Sequence, residues 1–153
     1  VMPRAFLVPR AEKGPEGEAM LDKIVSKDFD PLAQVYLEEE PPALPAGGKP
    51  VDTERVEITA YAPNEARMDV LSASSQWLFF SDVFYPGWKA SVDGEPVTIY
   101  RANYAFRAIP VGPGRHKVVW KYDPILFKIG SMISALTAFG LLVCVWRTRG
   151  RVR

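Results

Sequence analysis

The sequence predicts a mainly β protein, an antiparallel β-sandwich or jelly roll with one short N-terminal helix and a C-terminal transmembrane α-helix. Over residues 1–124, short apolar stretches with a period of two alternate with turn residues, which is typical of antiparallel strands with one buried face. An uncharged stretch long enough to cross a bilayer follows them. We therefore expect one β domain over residues 1–124, a membrane helix over residues 125–147 and a basic tail over residues 148–153.

The membrane helix rests on the run from Ile129 to Trp146, which contains eighteen residues and no charge. A helix rises about 1.5 Å per residue, so this run and the apolar residues 125–127 together span the roughly 30 Å hydrocarbon core. Lys128 lies near one end, from which its ammonium can reach the headgroups. A buried core helix would carry a polar stripe, whereas the polar side chains here can bond to their own helix backbone: Ser131, Ser134 and Thr137.

Small residues recur along one side of this helix. Gly130, Ser134 and Ala138 are spaced four positions apart, and such a groove lets a second membrane helix approach closely. Small residues are common in membrane helices in general, and that is the simpler explanation. The expected partners of the helix are the lipid bilayer and other transmembrane helices.

The distribution of basic residues predicts the orientation of the helix. Four arginines follow it closely, whereas the basic residues before it are spread out: Arg147, Arg149, Arg151 and Arg153 against Arg115, Lys117, Lys121 and Lys128. Their density favours a cytoplasmic C-terminus and a β domain outside. The opening residues VMPRAFLV have neither a basic nor an apolar region of a signal peptide. We expect the chain to be the last part of a longer polytopic protein whose earlier helices carry the domain across.

Composition excludes several kinds of site. Residues 1–128 carry fifteen basic and eighteen acidic residues, which argues against a nucleic-acid surface. The only cysteine, Cys144, lies in the apolar run, and His116 is the only histidine. The sequence therefore predicts no disulfide framework, no metal site and no cofactor.

The first fifty residues predict two strands, a helix and a loop. Residues 4–8, between two prolines, are expected to form an edge strand, and residues 32–37 a second strand. Between them the spacing predicts a short helix with Ala19, Met20, Leu21 and Ile24 on one side. Residues 38–50 combine acids, prolines and glycines and predict a surface loop.

From residue 53 onward the alternation predicts the remaining strands. Val56, Ile58 and Ala60 should face inward from one strand, and the second strand of the pair, joined to it by a turn at 62–65, contributes Met68, Val70 and Ser72. Residues 76–85 are apolar almost throughout and predict a strand covered on both faces.

Two further hairpins are expected near the end of the domain. Asp93-Gly94 is a strong hairpin signal between strands at 88–92 and 97–100. Residues 104–111 are predicted to pair with residues 115–122 through Gly112-Pro113-Gly114. The total is eight or nine strands.

The run LFFSDVFYPGWKASVDGEPVTIYRANYAFRAIPVGPGRHKVVWKYDP, followed by a membrane helix, resembles the C-terminal region of YfhO-type bacterial membrane proteins, which are large polytopic proteins related to the GT-C glycosyltransferases. The densest part of the likeness runs from Tyr85-Pro86-Gly87-Trp88-Lys89 to Val92-Asp93-Gly94. The opening PRAFLV and Asp28-Phe29-Asp30-Pro31 are similar to the same region.

The resemblance implies an extracytoplasmic β domain and the last membrane helix of an enzyme of the bacterial cytoplasmic membrane. Such an enzyme moves a sugar from a lipid-linked donor, such as a polyprenyl-phosphate sugar, onto a cell-surface glycan acceptor. Its catalytic carboxylate lies in an early extracytoplasmic loop that these 153 residues do not contain, so no catalytic residue is assigned here.

Several aromatic and polar residues form a candidate glycan or acceptor surface, because rings stack on sugars while polar groups bond their hydroxyls. They are Asp82, Tyr85, Trp88, Lys89, Tyr100, Asn103, Tyr104 and Arg107. The alternative is that Trp88 fills the sandwich core and Pro86-Gly87 only turns the chain.

Other polar residues have a structural explanation beside a functional one. Asp82 and Asp93 superficially resemble a glycosidase pair, but Asp93 fits a turn and Asp82 fits an ion pair with Lys89 or Arg107. His116 is interpreted as a polar strand residue or a binding residue. Three basic residues either occupy solvated strand positions or contact lipid phosphates. They are Arg101, Arg107 and Lys121.

Two hypotheses for function follow. In the first, the domain is a non-catalytic accessory domain that caps the catalytic cavity or holds the acceptor of a membrane glycosyltransferase-like protein. In the second, it is a purely structural or protein-interaction module that touches no sugar. A free-standing anchored enzyme is the weakest alternative because the chain lacks a credible catalytic constellation.

Overall fold

The computed structural model describes residues 2–45 and 53–149. The end of the expected 38–50 loop and the arginines at 151 and 153 of the expected basic tail lie outside these residues. The chain divides into two compact units, Val1–Tyr122 and Asp123–Arg153.

The first unit is a β-sandwich, as predicted, but it has eleven strands among the described residues, where eight or nine were expected. Its elements are β1 (Ala5–Val8), β2 (Arg10–Lys13), α1 (Glu18–Val25), β3 (Gln34–Leu37), β4 (Arg55–Ala62), β5 (Glu65–Ser72), β6 (Gln76–Phe80), β7 (Trp88–Val92), β8 (Glu95–Val97), β9 (Tyr100–Ala102), β10 (Phe106–Val111) and β11 (Gly114–Tyr122). One sheet has the strand order β1-β6-β10-β9-β3-β2 and the other β4-β5-β11-β7-β8. Every pair is antiparallel except β2 with β3.

The main core lies between the two sheets. Alternate residues of β5 face inward, so the predicted Met68, Val70 and Ser72 are all buried. On β4 the alternation fails, because a register shift between Ile58 and Ala60 leaves Ala60 exposed. The core combines residues from both sheets: Ala5, Leu78, Phe80, Ile109 and Val111 from the first, and Ala66, Met68, Val70, Ala90, Val118 and Trp120 from the second.

Strand β6 is buried on both faces, as its continuous apolar sequence predicts. Leu78 and Phe80 belong to the main core, whereas Trp77 and Phe79 belong to a second cluster. The strand ends at Phe80 rather than at residue 85. Beyond it, Ser81 N–H donates to the carbonyl of Arg4 and Phe84 N–H to that of Ala105. Residues 81–87 therefore form a loop.

The expected hairpin between residues 104–111 and 115–122 is wrong. Strand β10 pairs with β6 and β9, whereas β11 pairs with β5 and β7 in the other sheet. Residues 112–113 carry the chain from one sheet to the other. β10 contributes Ile109 and Val111 to the main core and Ala108 to the second cluster, so it is buried on both faces. The period of two predicts a buried face but does not identify the neighbouring strand.

The Asp93-Gly94 hairpin is confirmed, with φ of 54° and 92° at its central residues. However, the single strand expected at 97–100 is two strands. β8 pairs with β7 in one sheet, and β9 pairs with β10 and β3 in the other.

The N-terminal elements are partly as predicted. β1 is an edge strand and the helix α1 forms, but Met20 alone is buried, Leu21 and Ile24 are half-buried and Ala19 is exposed. Met20 packs above Gly14, where an added Cβ would lie 2.3 Å from the methionine methyl carbon. Strand β2 was not predicted, because its sequence RAEK has no apolar alternation.

The second unit contains helix α2 (Ile125–Arg149), whose first 19 residues, Ile125–Val143, form a candidate membrane span with mean hydropathy 1.8. The Ser131 hydroxyl donates to the carbonyl of Phe127 and the Thr137 hydroxyl to that of Ile133, as predicted. The apolar side chains along the helix are exposed, which suits a helix whose solvent is lipid.

Candidate functional site

The eight residues of the candidate glycan surface lie in different parts of the domain. Asp82 and Trp88 both contact Arg107, and we call these three residues the arginine cluster. Tyr85 and Lys89 are both exposed. The other three come from β9 and the turn after it: Tyr100, Asn103 and Tyr104.

The arginine cluster is centred on a buried cation. The side chain of Arg107 is 1% exposed, and its Nη2 donates to Oδ2 of Asp82 at 3.1 Å. Its guanidinium carbon lies 4.1 Å from the ring centroid of Trp88, with two more core rings, Phe80 and Trp120, at 5.0 and 5.3 Å. These rings supply cation–π attraction in a place where water is excluded.

A hydrogen-bond chain connects this cation to the surface. The Tyr61 hydroxyl donates to Oδ2 of Asp82 at 3.0 Å, and the Arg4 guanidinium lies 4.6 Å from the Tyr61 ring centroid. Burial lowers the pKa of Arg107, and the nearby Asp82 partly offsets this effect. Burial and the bond to Asp82 raise the pKa of Tyr61. Within residues 2–45 and 53–149, Nε and Nη1 of Arg107 have no hydrogen-bond partner.

The Trp88 ring therefore packs mostly against other side chains of the domain. The Arg107 guanidinium lies against its ring, and the Tyr122 ring lies 5.5 Å away, centroid to centroid. This packing matches the alternative interpretation of Trp88 as a residue that fills the core. Asp82 forms the ion pair with Arg107 that the sequence suggested as one alternative.

Tyr104, one of the three residues from β9 and the turn after it, lines an open site, which we call the tyrosine cleft. It is a cleft of about 380 Å³ lined by Pro15, Glu16, Gly17, Met20, Glu38, Glu39 and Tyr104. Three separated segments supply these residues: the start of α1, the chain after β3 and the β9–β10 turn. Sequence reasoning proposed only Tyr104 among them as a binding residue, because no local pattern connects the three segments.

The β9–β10 turn fixes the position of Tyr104. Asn103 and Tyr104 have φ of 44° and 72°, a conformation that is rare for a bulky residue. Buried Asn103 exchanges two bonds with Tyr36 of β3: its Oδ1 accepts from the Tyr36 N–H at 2.9 Å, and its own N–H donates to the Tyr36 carbonyl at 2.8 Å. Asn103 thus supports the turn.

The charges around the cleft are mostly acidic. Glu16, Glu38 and Glu39 line it, and Glu38 pairs with Arg101 at 3.0 Å. The Arg101 guanidinium lies 5.7 Å from the Tyr104 ring centroid. Tyr100 is not part of the cleft, because its ring packs edge-on against Trp77 in the second cluster. The cleft combines an exposed ring with carboxylate acceptors, the groups that bind a sugar's CH face and its hydroxyls.

Asp93 and His116 form a separate structural pair. The Asp93 carboxylate accepts from the Lys117 N–H and contacts Nδ1 of His116, both at 2.7 Å. Partial burial would raise the pKa of Asp93, but these hydrogen bonds outweigh it and lower that pKa below its ordinary value. Asp82 and Asp93 each have their own partners. In the part of the chain that the structure describes, no group of three or more His, Cys, Asp or Glu residues could hold a metal ion.

Comparison with known proteins gives one family match. A family model described as bacterial membrane protein YfhO matches residues 38–134, more than half of the chain. No curated protein and no solved structure is significantly similar to the chain.

Proposed function

The chain belongs to the family of the bacterial membrane protein YfhO, and on that premise we propose that it forms an extracytoplasmic domain and the last membrane helix of a bacterial glycosyltransferase-like membrane protein. In this proposal the domain binds the glycan or lipid-linked sugar on which that protein acts, and catalysis takes place elsewhere. The β domain lies outside and the C-terminus in the cytoplasm, which the dense arginines after the span support.

The observation that carries the binding part of the proposal is the tyrosine cleft. Tyr104, an aromatic residue of the candidate surface, lines this cleft. The carboxylates of Glu16 and Glu39 beside it accept hydrogen bonds from sugar hydroxyls, and Met20 supplies an apolar floor. A volume of about 380 Å³ lies within the usual range for small-ligand sites.

The backbone of the cleft supports this proposal. A residue with positive φ that is not glycine costs about 1–3 kcal/mol and is retained where its surroundings over-determine it. Here the two bonds between Asn103 and Tyr36 hold the turn. The Tyr104 ring is thereby positioned before a ligand arrives, which reduces the entropy lost on binding.

Titration of the whole chain in lipid nanodiscs with cell-surface oligosaccharides tests the proposal. We compare Tyr104→Asn, which tolerates positive φ but removes the ring, with Tyr104→Phe, which keeps the ring. We expect the unsubstituted chain to bind at about millimolar Kd or tighter, Tyr104→Phe to retain this binding and Tyr104→Asn to lose about tenfold or more. Equal affinity of both variants, or no binding by the unsubstituted chain, contradicts the proposal.

A second function, a purely structural or protein-interaction module, is favoured by the arginine cluster. Arg107 bonds to Asp82 and packs on Trp88, and the Tyr61 hydroxyl also donates to Asp82. These contacts stabilise one end of the sandwich. If this is the whole function, Tyr104→Asn leaves the activity of the parent membrane protein unchanged. If the domain holds the sugar, the same variant raises the KM for that sugar.

A further inference from the structure

The charged side chains that line the tyrosine cleft are all acidic in the part of the chain that the structure describes. They are Glu16, Glu38 and Glu39, and all three are exposed. Arg101 compensates one of them, because its Nη1 lies 3.0 Å from Oε1 of Glu38. Within residues 2–45 and 53–149, Glu16 and Glu39 have no ion-pair partner. Two carboxylates of the cleft are therefore available to a ligand.

The start of α1 does not offset these charges. A helix N-terminus carries about half a positive charge on its unbonded N–H groups, and α1 has an acid of its own, Glu18, in its first turn. Further along the helix, the Lys23 ammonium lies 4.5 Å from the Tyr36 ring centroid. The cleft is therefore negative, and it would repel a sugar phosphate or a uronic acid.

The same cleft has an apolar part and open space. Met20 and Tyr104 line it together with the acids, and the Tyr104 side chain is partly exposed. At Gly17, between Glu16 and α1, an added Cβ would meet no described atom within 4 Å. A ligand in this cleft therefore meets an aromatic ring and carboxylates together.

A ligand that combines CH groups with a positive charge complements both features. Aromatic rings attract cations, and a hydrogen bond from an ammonium to a carboxylate is stronger than one from a neutral hydroxyl or amide. We infer that the tyrosine cleft selects an amino sugar with a free ammonium group over its N-acetylated or phosphorylated counterparts. The sugar packs on Tyr104 and its ammonium donates to Glu16 or Glu39. This inference rests on the proposed binding of sugar by the cleft and names the class of sugar.

Amide chemical-shift titration of the full chain tests the selectivity. The nanodiscs contain only phosphatidylcholine, which has no net charge, and the probes are short oligosaccharides of glucosamine and of N-acetylglucosamine at about pH 6, where amines are protonated. From the shifts at Gly17 and Tyr104 we expect a Kd about tenfold lower for the glucosamine form, the size expected for charge contacts between exposed groups. Equal Kd values, or tighter binding of the N-acetylated form or of glucosamine 6-phosphate, overturn the inference.

Two double variants test whether the carboxylates of the cleft cause this preference. Glu16→Gln/Glu39→Gln keeps the hydrogen-bond acceptors and removes the charges, so it should abolish the preference and leave the Kd of the N-acetylated form unchanged. The control, Glu57→Gln/Glu95→Gln, removes two exposed acids from the other sheet and should keep the preference. A preference that survives in the first variant, or that both variants lose equally, overturns the inference.

The pair of sugars also separates this inference from the proposed function. If Tyr104→Asn weakens both sugars but the unsubstituted chain binds them equally, the proposed function stands and the ammonium preference is wrong. If neither sugar binds, or if Tyr104→Asn changes neither Kd, both the proposed function and this inference are contradicted.

Discussion

The arginine cluster and the tyrosine cleft are built from the same kinds of residue but differ in access to water. In the arginine cluster the charged and aromatic groups of Arg107 and Trp88 are in contact with each other. In the tyrosine cleft the ring of Tyr104 instead lines an open cleft together with carboxylates. The comparison teaches that aromatic and polar composition alone does not separate a packed core from a binding surface.

The largest expected effect concerns the arginine cluster, the buried member of this comparison. Asp82→Ala leaves the buried Arg107 cation without its ion-pair partner, and we expect a loss of about 3 kcal/mol in the free energy of unfolding. The measurement is chemical denaturation of the full chain in detergent, followed by tryptophan fluorescence. The control is Glu38→Ala, which breaks the exposed pair with Arg101 and should lose about 0–1 kcal/mol.

A double variant sharpens that result. Asp82→Ala combined with Arg107→Met removes the buried charge together with its partner, so most of the lost stability should return. If the double variant is as unstable as Asp82→Ala, the uncompensated charge is not the cause of the loss.

The next effect concerns the support beneath the cleft. Asn103→Ala removes the buried acceptor of the Tyr36 N–H and forces alanine into positive φ, so we expect a loss of about 2 kcal/mol. Asn103→Asp keeps both the acceptor and the tolerance of positive φ. Thermal unfolding of the two variants should therefore differ, and equal melting temperatures would show that the turn does not depend on this bond.

A smaller effect on stability is expected at the ring itself. Tyr104→Asn should change the free energy of unfolding by less than about 1 kcal/mol, because the ring is partly exposed and asparagine accepts the backbone conformation. Denaturation of the variant used for the sugar titration checks this expectation. A loss of unfolding free energy as large as that of Asn103→Ala would show that the Tyr104 ring is packed in the domain.

The smallest effect is pH-dependent and lies away from both regions. The pKa of Asp93 is lowered from its ordinary value of 3.8, so the stability contributed by its ionised form is present above that value and is lost as the pH falls through the folded-state pKa. Asp93→Asn keeps the positive-φ turn but removes the charge. The stability advantage of the unsubstituted chain over this variant should shrink on acidification below about pH 4, as measured by denaturation across pH. A difference in stability between the two proteins that stays constant across pH would contradict the lowered pKa of Asp93.

Local sequence patterns predicted much of the fold. The sandwich class, the β4–β5 pair, the Asp93-Gly94 turn and the apolar helix follow from alternation, turn chemistry and the length of the uncharged run. The pairing of β10 and the split between β8 and β9 were missed, because an apolar pattern shows which faces of a strand are buried but not which strands are its neighbours.

The candidate site was less predictable. The burial of Arg107 depends on rings from β6, β7 and β11 that meet only in the folded domain. The tyrosine cleft depends on Glu16 and Glu39, which appear in the sequence as ordinary loop acids. Such tertiary sites leave no periodic signal in a single sequence.

The most direct test of the account is amide chemical-shift mapping of the full chain in nanodiscs during titration with a cell-surface oligosaccharide. The account predicts that the largest shifts occur in the tyrosine cleft, at Gly17, Glu39 and Tyr104, with little change in the arginine cluster. Shifts centred on Trp88 and Arg107, or no shifts at millimolar sugar, would contradict it.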